Sequence, residues 1–281
     1  MKIISSAAEM AAYSKAEQRG GRRVGFVPTM GALHEGHLSL VRAAREQCDV
    51  AVVSIFVNPT QFGPNEDLDS YPRSFEQDKS MLQGERVDAI FYPSVEEMYP
   101  AGATTWVTVE GLSEKLDGRS RPGHFRGVTT VVSKLFNIVQ PQLAFFGQKD
   151  AAQVAIIRKM VRDLNFGVQI VVCPIVREKD GLAMSSRNAY LSEQERKQAL
   201  ALSWALKCVQ SLAEQGEIDA SRLIEAGKKV IAQEPTIRLD YFESVDPNTL
   251  DPVADVAGGA LIAVAAYVGK TRLIDNVLVG K

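Results

Sequence analysis

Residues 24–37 read Val24-Gly25-Phe26-Val27-Pro28-Thr29-Met30-Gly31-Ala32-Leu33-His34-Glu35-Gly36-His37. The stretch joins a short apolar strand, residues 24–27, to a helix that we expect to begin near Gly36. A turn between a strand end and a helix start presents unpaired backbone N–H groups and the positive end of the helix dipole, and both favour phosphate. The stretch therefore predicts the first unit of a parallel α/β sheet and a phosphate-binding turn.

The chain from residue 24 to about 172 extends this unit into a sheet. Short apolar runs alternate with amphipathic stretches, which is the pattern of strand-helix-strand units. We predict a Rossmann-like, doubly wound parallel sheet of about five strands, at residues 24–27, 50–57, 87–92, 143–146 and 168–172. Ligands of such sheets bind outside the carboxyl ends of the strands. The loops after Val27, Val57 and Phe146 are therefore the predicted place of the chemistry.

The composition changes after Pro174. A charged loop at 177–188 leads into two helical patterns, 192–215 and 220–233. Three strand-like runs follow at 237–245, 260–268 and 272–279. The sequence thus predicts a Rossmann-like α/β domain at residues 1–175 and a smaller α+β C-terminal domain at residues 176–281.

The bulk composition is that of a globular protein and excludes some partners. Of the 281 residues 46% are hydrophobic and 23% charged, which is enough apolar material for a substantial core. Lys and Arg total 32 against 34 Asp and Glu, a net charge of -2, so the basic footprint of a nucleic-acid binder is missing. An anionic ligand must therefore be held by a local site.

The termini and the cysteines indicate the compartment. Charged residues interrupt the apolar N-terminal stretch at Glu9, Lys15, Glu17 and Arg19, so no secretory signal is predicted. No later apolar run is long enough to predict a bilayer-spanning helix. The three cysteines are odd in number, far apart and outside any Cys-x-x-Cys pattern. Neither a disulfide framework nor a zinc site is indicated. We predict reduced, mostly buried thiols and a cytoplasmic protein.

The strongest chemical signal is the pair His34 and His37, since the chain contains only three histidines. On a helical turn, residues three apart face the same way, so both imidazoles could donate to the oxygens of one polyphosphate. A single capping or surface histidine is common and carries no function. A zinc site is disfavoured because no third ligand stands at a suitable spacing.

Four motifs, in this order and spacing, resemble the pantothenate synthetase family. They are the run from Phe26 to His37, Ile55-Phe56-Val57-Asn58-Pro59-Thr60-Gln61-Phe62, Phe146-Gly147-Gln148-Lys149-Asp150 and Met184-Ser185-Ser186-Arg187-Asn188. The resemblance extends to about residue 195 and is only general beyond it. It implies an ATP-dependent ligase, active as a homodimer, that joins pantoate to β-alanine through a pantoyl adenylate and releases pyrophosphate and AMP.

The resemblance also implies the residues of the ATP site. ATP would contact Met30, Gly31, Ala32, Leu33, His34, Glu35, Gly36, His37, Gly147, Gln148, Lys149, Asp150, Val176, Met184, Ser185, Ser186 and Arg187. Among these, His37, the family's proton donor, His34, Lys149 and Arg187 would be catalytic. An ionised carboxylate needs no general base, so these groups would align ATP and neutralise developing negative charge.

The acid substrate would be bound by Gln61 and Gln153, whose amides both donate and accept, with Asn58 and Phe62 completing the pocket. Magnesium is expected with ATP and is usually held by phosphates, waters and one or two carboxylates. Asp78 and Asp150 are both candidates, and no ligand is chosen between them. Asp150 has two further possible roles: its carboxylate could accept hydrogen bonds from the ribose hydroxyls, or it could cap a helix that begins at Ala151.

Two loops have less definite roles. The run Gly123-His124-Phe125-Arg126-Gly127, preceded by Arg119 and Arg121, is a basic, glycine-bounded loop that resembles the family's segment at the same place and would attract either triphosphate or carboxylate. Residues 184–187 follow Asp180-Gly181 at the predicted domain junction, which suggests a mobile flap over ATP. Arg187 is the better candidate for the leaving pyrophosphate, because its fork matches two phosphate oxygens.

Three other functions are alternatives to the ligase. A nucleotidyltransferase with a phosphate-bearing substrate would be expected to carry Arg or Lys where Gln61 and Gln153 stand. A non-catalytic ATP sensor would bind without turnover. Aminoacylation of tRNA is disfavoured by the chain's size, its near-neutral charge and the lack of a basic anticodon-binding region.

Overall fold

The computed structural model of the protein describes residues 1–64 and 66–280. The chain folds into two compact units. The first comprises Met1–Glu114, Arg121–Gly147 and Ile156–Pro174, and the second comprises Lys115–Ser120, Gln148–Ala155 and the chain from Ile175 onward. The division into domains at residue 175 stays a prediction, because two short segments before it also belong to the second unit.

The first unit is built on a six-stranded sheet in which every pair of neighbouring strands is parallel. Its strands are β1 (Lys2–Ile4), β2 (Val24–Thr29), β3 (Val50–Ile55), β4 (Ala89–Phe91), β5 (Leu143–Gly147) and β6 (Gln169–Cys173). Their spatial order is β1-β4-β3-β2-β5-β6. The order reverses at β2, which pairs with both β3 and β5, and ligands of doubly wound sheets bind at such a switch point. The prediction of a doubly wound parallel sheet is confirmed.

The predicted strand number was one too low. The sequence indicated about five strands, and β1 was missed because three residues are too short for a periodic pattern. Its pairing is also non-local, with Lys2 opposite Ala89 and Ile4 opposite Phe91. A strand fixed mainly by distant partners leaves little trace in its own residues.

Helices cover both faces of this sheet. They are α1 (Ala7–Arg19), α2 (Glu35–Gln47), α3 (Phe75–Gly84), α4 (Val95–Met98) and α6 (His124–Val139). The part of α7 (Ala151–Asp163) from Ile156 onward also belongs to the first unit. On one face, Leu40 and Val41 of α2 pack with Val27 and Val53. On the other, Phe136 of α6 meets Phe146 edge to face, with ring centroids 6.4 Å apart. Burial on both faces explains the near-continuous apolar strands.

The second unit packs helices on a three-stranded antiparallel sheet. It contains α5 (Asp117–Ser120), α8 (Glu193–Glu214), α9 (Ala220–Ile231) and the strands β7 (Ile237–Val245), β8 (Ala260–Val268) and β9 (Thr271–Val279), ordered β7-β8-β9. A capping box starts α8: Ser192 Oγ accepts from the Glu195 N–H at 3.2 Å, and Glu195 Oε2 accepts from the Ser192 N–H at 2.8 Å. The predicted helices and strands of this region are confirmed.

Among residues 1–64 and 66–280, no helix is both long enough and apolar enough to cross a bilayer. The three cysteines are free; Cys173 is buried, whereas Cys48 and Cys208 are half-buried.

Candidate active site

His34 is the N-cap of α2 and His37 lies in the first turn of that helix, which follows the carboxyl end of β2. His34 Nδ1 accepts a hydrogen bond from the backbone N–H of Gly36 at 3.1 Å, and His37 Nδ1 accepts from the backbone N–H of His34 at 3.3 Å. The ring centroids are 4.1 Å apart. Because each Nδ1 is an acceptor, the neutral form of each imidazole carries its proton on Nε2. The helix start thus fixes the tautomer of both rings.

The turn before the histidines is held by a carboxylate from α3. Gly31 and Ala32 both have left-handed backbone conformations, with φ of 83° and 50°, which a residue with a Cβ adopts only at a cost. Asp78 Oδ2 accepts from the Ala32 N–H at 2.9 Å, and Asp78 Oδ1 accepts from the Leu33 N–H at 2.8 Å. The Asp78 residue is only 1% exposed. Asp78 therefore clamps the backbone of this turn.

The buried position of Asp78 also affects the pKa of its carboxyl. Burial raises the pKa of the Asp78 carboxyl, and the hydrogen bonds from Leu33, Ala32 and Ser74 oppose that rise.

The close approach of Asp78 also requires a glycine at residue 31. A Cβ at residue 31 would lie 2.9 Å from Asp78 Oδ2 and 3.1 Å from a methyl carbon of Ile55. Glycine at this position therefore serves both the backbone angle and the close approach of the carboxylate.

Gln61 ends a short 3-10 turn, Pro59–Gln61, that follows β3. Asn58, 1% exposed, donates from Nδ2 to Gln61 Oε1 at 3.0 Å and to the Gly127 carbonyl at 3.1 Å. Gln61 Nε2 lies 3.0 Å from Met30 Sδ. Because Asn58 occupies the carbonyl oxygen of the Gln61 amide, the amide is oriented with its two donors on the opposite side.

A second chain of contacts holds the backbone of Gln61. His124 Nδ1 lies 2.8 Å from the Gln61 carbonyl oxygen, and Arg121 donates to His124 Nε2 at 3.0 Å. Arg121 is in turn paired with both oxygens of Glu66, at 2.7 and 2.5 Å. Since arginine cannot accept, His124 accepts at Nε2 and donates from Nδ1. Burial raises the pKa of Glu66, but the hydrogen bond and charge of Arg121 outweigh it, so that the pKa lies below its ordinary value.

The prediction of a basic loop at residues 119–127 is wrong, because the segment is largely helical: it spans the end of α5 (Asp117–Ser120) and the start of α6 (His124–Val139). Its charged side chains have different partners. Arg119 is in the second unit and forms an ion pair with Glu243 at 2.5 Å. Arg126 stacks over the ring of Trp106, with its guanidinium carbon 4.1 Å from the ring centroid. Arg121 and His124, by contrast, are joined by hydrogen bonds to each other and to the backbone of Gln61.

In the second unit, residues 148–150 form a 3-10 turn directly before α7. The Lys149 side chain is 20% exposed, and its Nζ lies 3.7 Å from Asp150 Oδ1. Gln153 follows on the first turn of α7 and is half-buried. The side chain of Asn276, in β9, donates to the carbonyl oxygens of Gln148 and Lys149. Sequence reasoning did not single out Asn276.

The predicted flap is a tight hairpin followed by a 3-10 turn. The Met184 N–H donates to the Val176 carbonyl at 3.0 Å, with a β-bridge between Arg177 and Ala183 inside that pair. Ser185 caps the turn that starts at residue 186, and its Oγ accepts from the Arg187 N–H at 3.3 Å. Val176 is thus tied to the start of the segment that the resemblance assigns to ATP. The movement of residues 184–187 as a flap over ATP stays a prediction.

The described residues contain no group of three or more His, Cys, Asp or Glu side chains arranged to hold a metal ion. Of the two candidate carboxylates, Asp78 uses both oxygens for backbone N–H groups, whereas the side chain of Asp150 is about half exposed. This donor set fits a magnesium ion that is held mainly by phosphate oxygens and water, with at most one carboxylate.

Comparison with known proteins decides the family. The family model described as pantoate-beta-alanine ligase matches residues 2–278 of the chain. The chain belongs to the pantoate-β-alanine ligase family. The pantothenate synthetase of Koribacter versatilis (strain Ellin345) is 64% identical over 278 residues, which cover 99% of this chain and 96% of that protein.

Solved structures of pantoate-β-alanine ligases have the same fold. The crystal structure of pantothenate synthetase from Thermus thermophilus aligns with a TM-score of 0.94 at 49% identity, covering 99% of both chains. The ligase from Francisella tularensis, solved in complex with beta-gamma ATP and β-alanine, aligns with a TM-score of 0.81 at 35% identity. That alignment covers 99% of this chain and 97% of the other.

Proposed function

We propose that this chain condenses pantoate with β-alanine to form pantothenate, with ATP converted to AMP and pyrophosphate. The observation that carries the proposal is the paired capping of α2, where both Nδ1 atoms of His34 and His37 accept backbone N–H groups. With Nδ1 accepting in each ring, Nε2–H is the donor of each neutral imidazole, and donors at a helix N-terminus suit the oxygens of a polyphosphate. Family membership supplies the substrates.

In the first half-reaction, a carboxylate oxygen of pantoate attacks the α-phosphorus of ATP. The bond between that phosphorus and the bridging oxygen to the β-phosphate breaks, and pyrophosphate leaves with the electron pair. No proton has to be removed from the nucleophile. The protein's contribution is therefore alignment and neutralisation of charge on the phosphates, the type of catalysis in which preorganised donors have the largest effect.

We assign the charge-stabilising donors to four side chains. His34 and His37 donate from Nε2, Lys149 provides a point charge, and Arg187 provides a planar fork for the leaving pyrophosphate. The remaining ATP contacts are proposed to come from the backbone and side chains of residues 30–37, 147–150, 176 and 184–187. Asp78 supports this set indirectly, because it fixes the backbone of residues 31–33.

Pantoate is proposed to bind through the amides of Gln61 and Gln153, with Phe62 closing the pocket. The Gln61 amide suits this role because Asn58 holds its oxygen, and its NH2 group has a second N–H besides the one directed at Met30 Sδ to donate toward a carboxylate or hydroxyl. Asn58 itself has all its polar atoms engaged within the protein: its Oδ1 accepts from Thr60 and Tyr99. Asn58 therefore contributes to the pocket by orienting Gln61.

Magnesium is proposed to enter as the ATP complex and to offset phosphate charge when bound. Asp150 is the carboxylate better placed to add a ligand, because both Asp78 oxygens already accept backbone hydrogen bonds. We further propose that the protein is a cytoplasmic homodimer. The free cysteines are consistent with a reducing compartment.

In the second half-reaction, the amine nitrogen of β-alanine attacks the acyl carbon of the pantoyl adenylate. The bond from that carbon to the phosphate oxygen breaks, AMP leaves, and the nitrogen loses a proton to form the amide. The F. tularensis relative was solved with β-alanine and an ATP ligand. By analogy, one set of residues would serve both half-reactions.

Isotope exchange tests the first half-reaction separately. The protein is incubated with ATP, magnesium and labelled pyrophosphate, with pantoate present or omitted and without β-alanine. We expect label to enter ATP only when pantoate is present, and pantothenate and AMP to appear in equal amounts once β-alanine is added. Pantoate-independent exchange, or none at all, would overturn the proposal.

A variant of His37 links the exchange to the proposed residues. His37→Ala should lower the pantoate-dependent exchange rate on the order of 10²-fold or more, the loss typical for one charge-stabilising donor. Pantoate binding should be retained. Ser39→Ala, which removes a hydroxyl that donates to the Gly36 carbonyl on the same helix turn, is the matched control and should keep the wild-type rate.

A further inference from the structure

The strand β9 contains two consecutive buried polar residues, Asp275 and Asn276, which are 4% and 3% exposed. Buried polar side chains are rarely left without hydrogen-bond partners, because each unpaired group would be costly. No step of the proposed reaction uses either side chain directly. Their partners therefore indicate what they do.

The Asn276 amide is fully engaged with the turn that carries Lys149. Its Nδ2 donates to the carbonyl oxygens of Gln148 and of Lys149, both at 2.9 Å, and its Oδ1 accepts from Gln148 Nε2 at 3.0 Å. The two donors and the acceptor face three complementary atoms, so the orientation of the amide is settled by the network. One buried side chain thus fixes two successive peptide groups of the 3-10 turn.

The backbone of Asn276 is itself held by the neighbouring residue Asp275. Asp275 Oδ1 accepts from the Asn276 backbone N–H at 2.8 Å, and the same carboxylate forms a two-pronged pair with Arg177, at 2.6 and 3.0 Å. Arg177 also donates to the Gly181 carbonyl at 3.1 Å. Bidentate pairs of this type restrict geometry as well as adding energy.

We infer that Asn276 is a positioning residue for adenylate formation, which acts by fixing the peptide groups on either side of Lys149 and so the direction of its ammonium group. The inference rests on the proposed phosphate role of Lys149. The side chain of lysine has four rotatable bonds and is flexible. The fold therefore controls the position of the Lys149 ammonium group mainly through the position of the Lys149 backbone. A displacement of about 1 Å at a charge-stabilising group can cost on the order of 10²-fold in rate.

The informative substitution is Asn276→Asp, which keeps the size of the side chain. It removes both donors and turns a carboxylate oxygen toward the two carbonyls, so the turn should shift while packing is preserved. We expect adenylation, measured as pantoate-dependent pyrophosphate exchange, to fall about 10- to 100-fold. Leu273→Ala is the matched control, because Leu273 is a buried apolar residue in the core of the same strand.

A double-mutant cycle with Lys149→Ala separates positioning from general damage. If Asn276 acts through Lys149, Asn276→Asp should lower the rate by less than about twofold when Lys149 is already alanine. Calorimetric titration of ATP should show the same non-additivity in affinity. Leu273→Ala should lower the unfolding midpoint by at least as much as Asn276→Asp, with the exchange rate near that of wild type.

Each other outcome overturns the inference. It fails if the two substitutions multiply, if Asn276→Asp exchanges at the wild-type rate, or if Leu273→Ala loses as much exchange as Asn276→Asp. A wild-type protein that performs no pantoate-dependent exchange would instead contradict the proposed function. In that case the ATP titrations still decide whether Asn276 acts through Lys149.

Discussion

At the scale of single residues, the turn before α2 depends on one carboxylate. Asp78 accepts from two successive backbone N–H groups, at Ala32 and Leu33. Both donors lie before the N-cap of α2, outside the hydrogen bonding of any helix or strand, and Ala32 has an unfavourable left-handed backbone. The side chain of Asp78 therefore compensates locally for a conformation that presents the histidines.

Removal of this carboxylate should weaken both the fold and ATP binding. Asp78→Ala leaves two N–H groups without their acceptor, and each such group costs about 1–3 kcal/mol when it stays buried. We expect the unfolding free energy to fall by about 2 kcal/mol or more and KM for ATP to rise. Denaturant unfolding and steady-state kinetics measure the two effects.

Ser74→Ala serves as the control for Asp78, because Ser74 Oγ lies 3.5 Å from Asp78 Oδ1 and is the weakest of its donors. This variant should resemble wild type in both measurements. An Asp78→Ala protein with normal stability and normal KM for ATP would show that the turn holds its conformation without the carboxylate.

Glu66 supplies a pH-dependent contribution to stability. Its pKa lies below the ordinary value of 4.5, since Arg121 outweighs the effect of burial. A depressed carboxyl pKa stabilises the fold above the ordinary pKa, and this stabilisation is lost as the pH falls through the folded-state value. We expect the difference in unfolding free energy between wild type and Glu66→Gln to be constant at neutral pH and to shrink below pH 4.5.

Denaturant unfolding at a series of pH values measures that difference. The comparison uses Glu76→Gln as its control, because Glu76 is an exposed carboxylate on α3 whose side chain is 79% accessible. A difference for Glu66→Gln that grows toward low pH would have the wrong sign and would contradict the role given to Arg121.

Apart from the family resemblance, the sequence pattern indicated candidate residues only where their contacts are local. His34 and His37 cap one helix and were found by their spacing. Asp78 was predicted only as a possible magnesium ligand, although it binds the turn 45 and 46 positions away. Asn276 lies 127 positions from Lys149 and was missed. Contacts made by folding across such separations leave no periodic signal in the chain.

At the scale of elements, buried strands and capped helices were predictable, whereas irregularities were not. The runs that became β2 and β3 are apolar because both faces are covered, and Ser192 with Glu195 marks the start of α8. In β7 the register shifts between Leu239 and Tyr241. No glycine or proline marks that bulge, and a single aspartate within a strand-like run does not predict one.

The bulge has a visible consequence in the second unit. Asp240, the extra residue, accepts from Arg272 Nε and from its terminal nitrogen at 3.0 and 2.8 Å, and Arg272 also donates to Asp117 at 2.7 Å. The guanidinium is largely buried, with 13% of the side chain exposed. The segment that contains α5 is thereby fixed to the small sheet, although it lies far from it in sequence.

The contact of α6 with the turn at Pro59–Gln61 requires a glycine. A Cβ on Gly127 would lie 2.6 Å from the Cα of Gln61 and 2.6 Å from the carbonyl carbon of Thr60, both backbone atoms. Gly127→Ala should therefore destabilise the fold by about 1–3 kcal/mol through overpacking. Because the displaced segment carries Gln61, KM for pantoate should rise more than KM for ATP.

Gly84→Ala provides the matched helical control. Gly84 is the last residue of α3, and a Cβ there would have no neighbour within 4 Å. Its stability should be unchanged or up to about 1 kcal/mol higher, since alanine restricts the unfolded chain more than glycine. Equal behaviour of the two glycine variants would refute the close contact between α6 and the turn.

At the scale of the whole molecule, each of the two units contains a cluster of buried hydrophobic residues. One lies around Leu82, Val41 and Val53, and the other around Leu223 and Phe242. The change of composition after Pro174 predicted a smaller second domain from residue 176 onward, and that boundary stays a prediction. It did not predict that residues 115–120 and 148–155 belong to the second unit, because those segments are too short to carry a pattern of their own.

Two matched substitutions test whether the cores are independent units of stability. Leu82 and Leu223 are both 0% exposed, one in each core. Leu82→Ala and Leu223→Ala should each cost about 2–5 kcal/mol in the unit that carries the change. Chains of this size commonly open in parts, so hydrogen exchange should accelerate mainly in the strands and helices of the substituted unit.

Mass spectrometry of peptides after hydrogen exchange distinguishes opening of a single unit from global unfolding. For Leu82→Ala, we expect faster exchange in β2 and β3 and unchanged exchange in β8, and Leu223→Ala should give the reverse. Uniform acceleration along the chain in both variants would mean that the protein unfolds as a single cooperative unit. In that case Lys149, in the second unit, and His37, in the first, would lose their ordered environment together under denaturing stress.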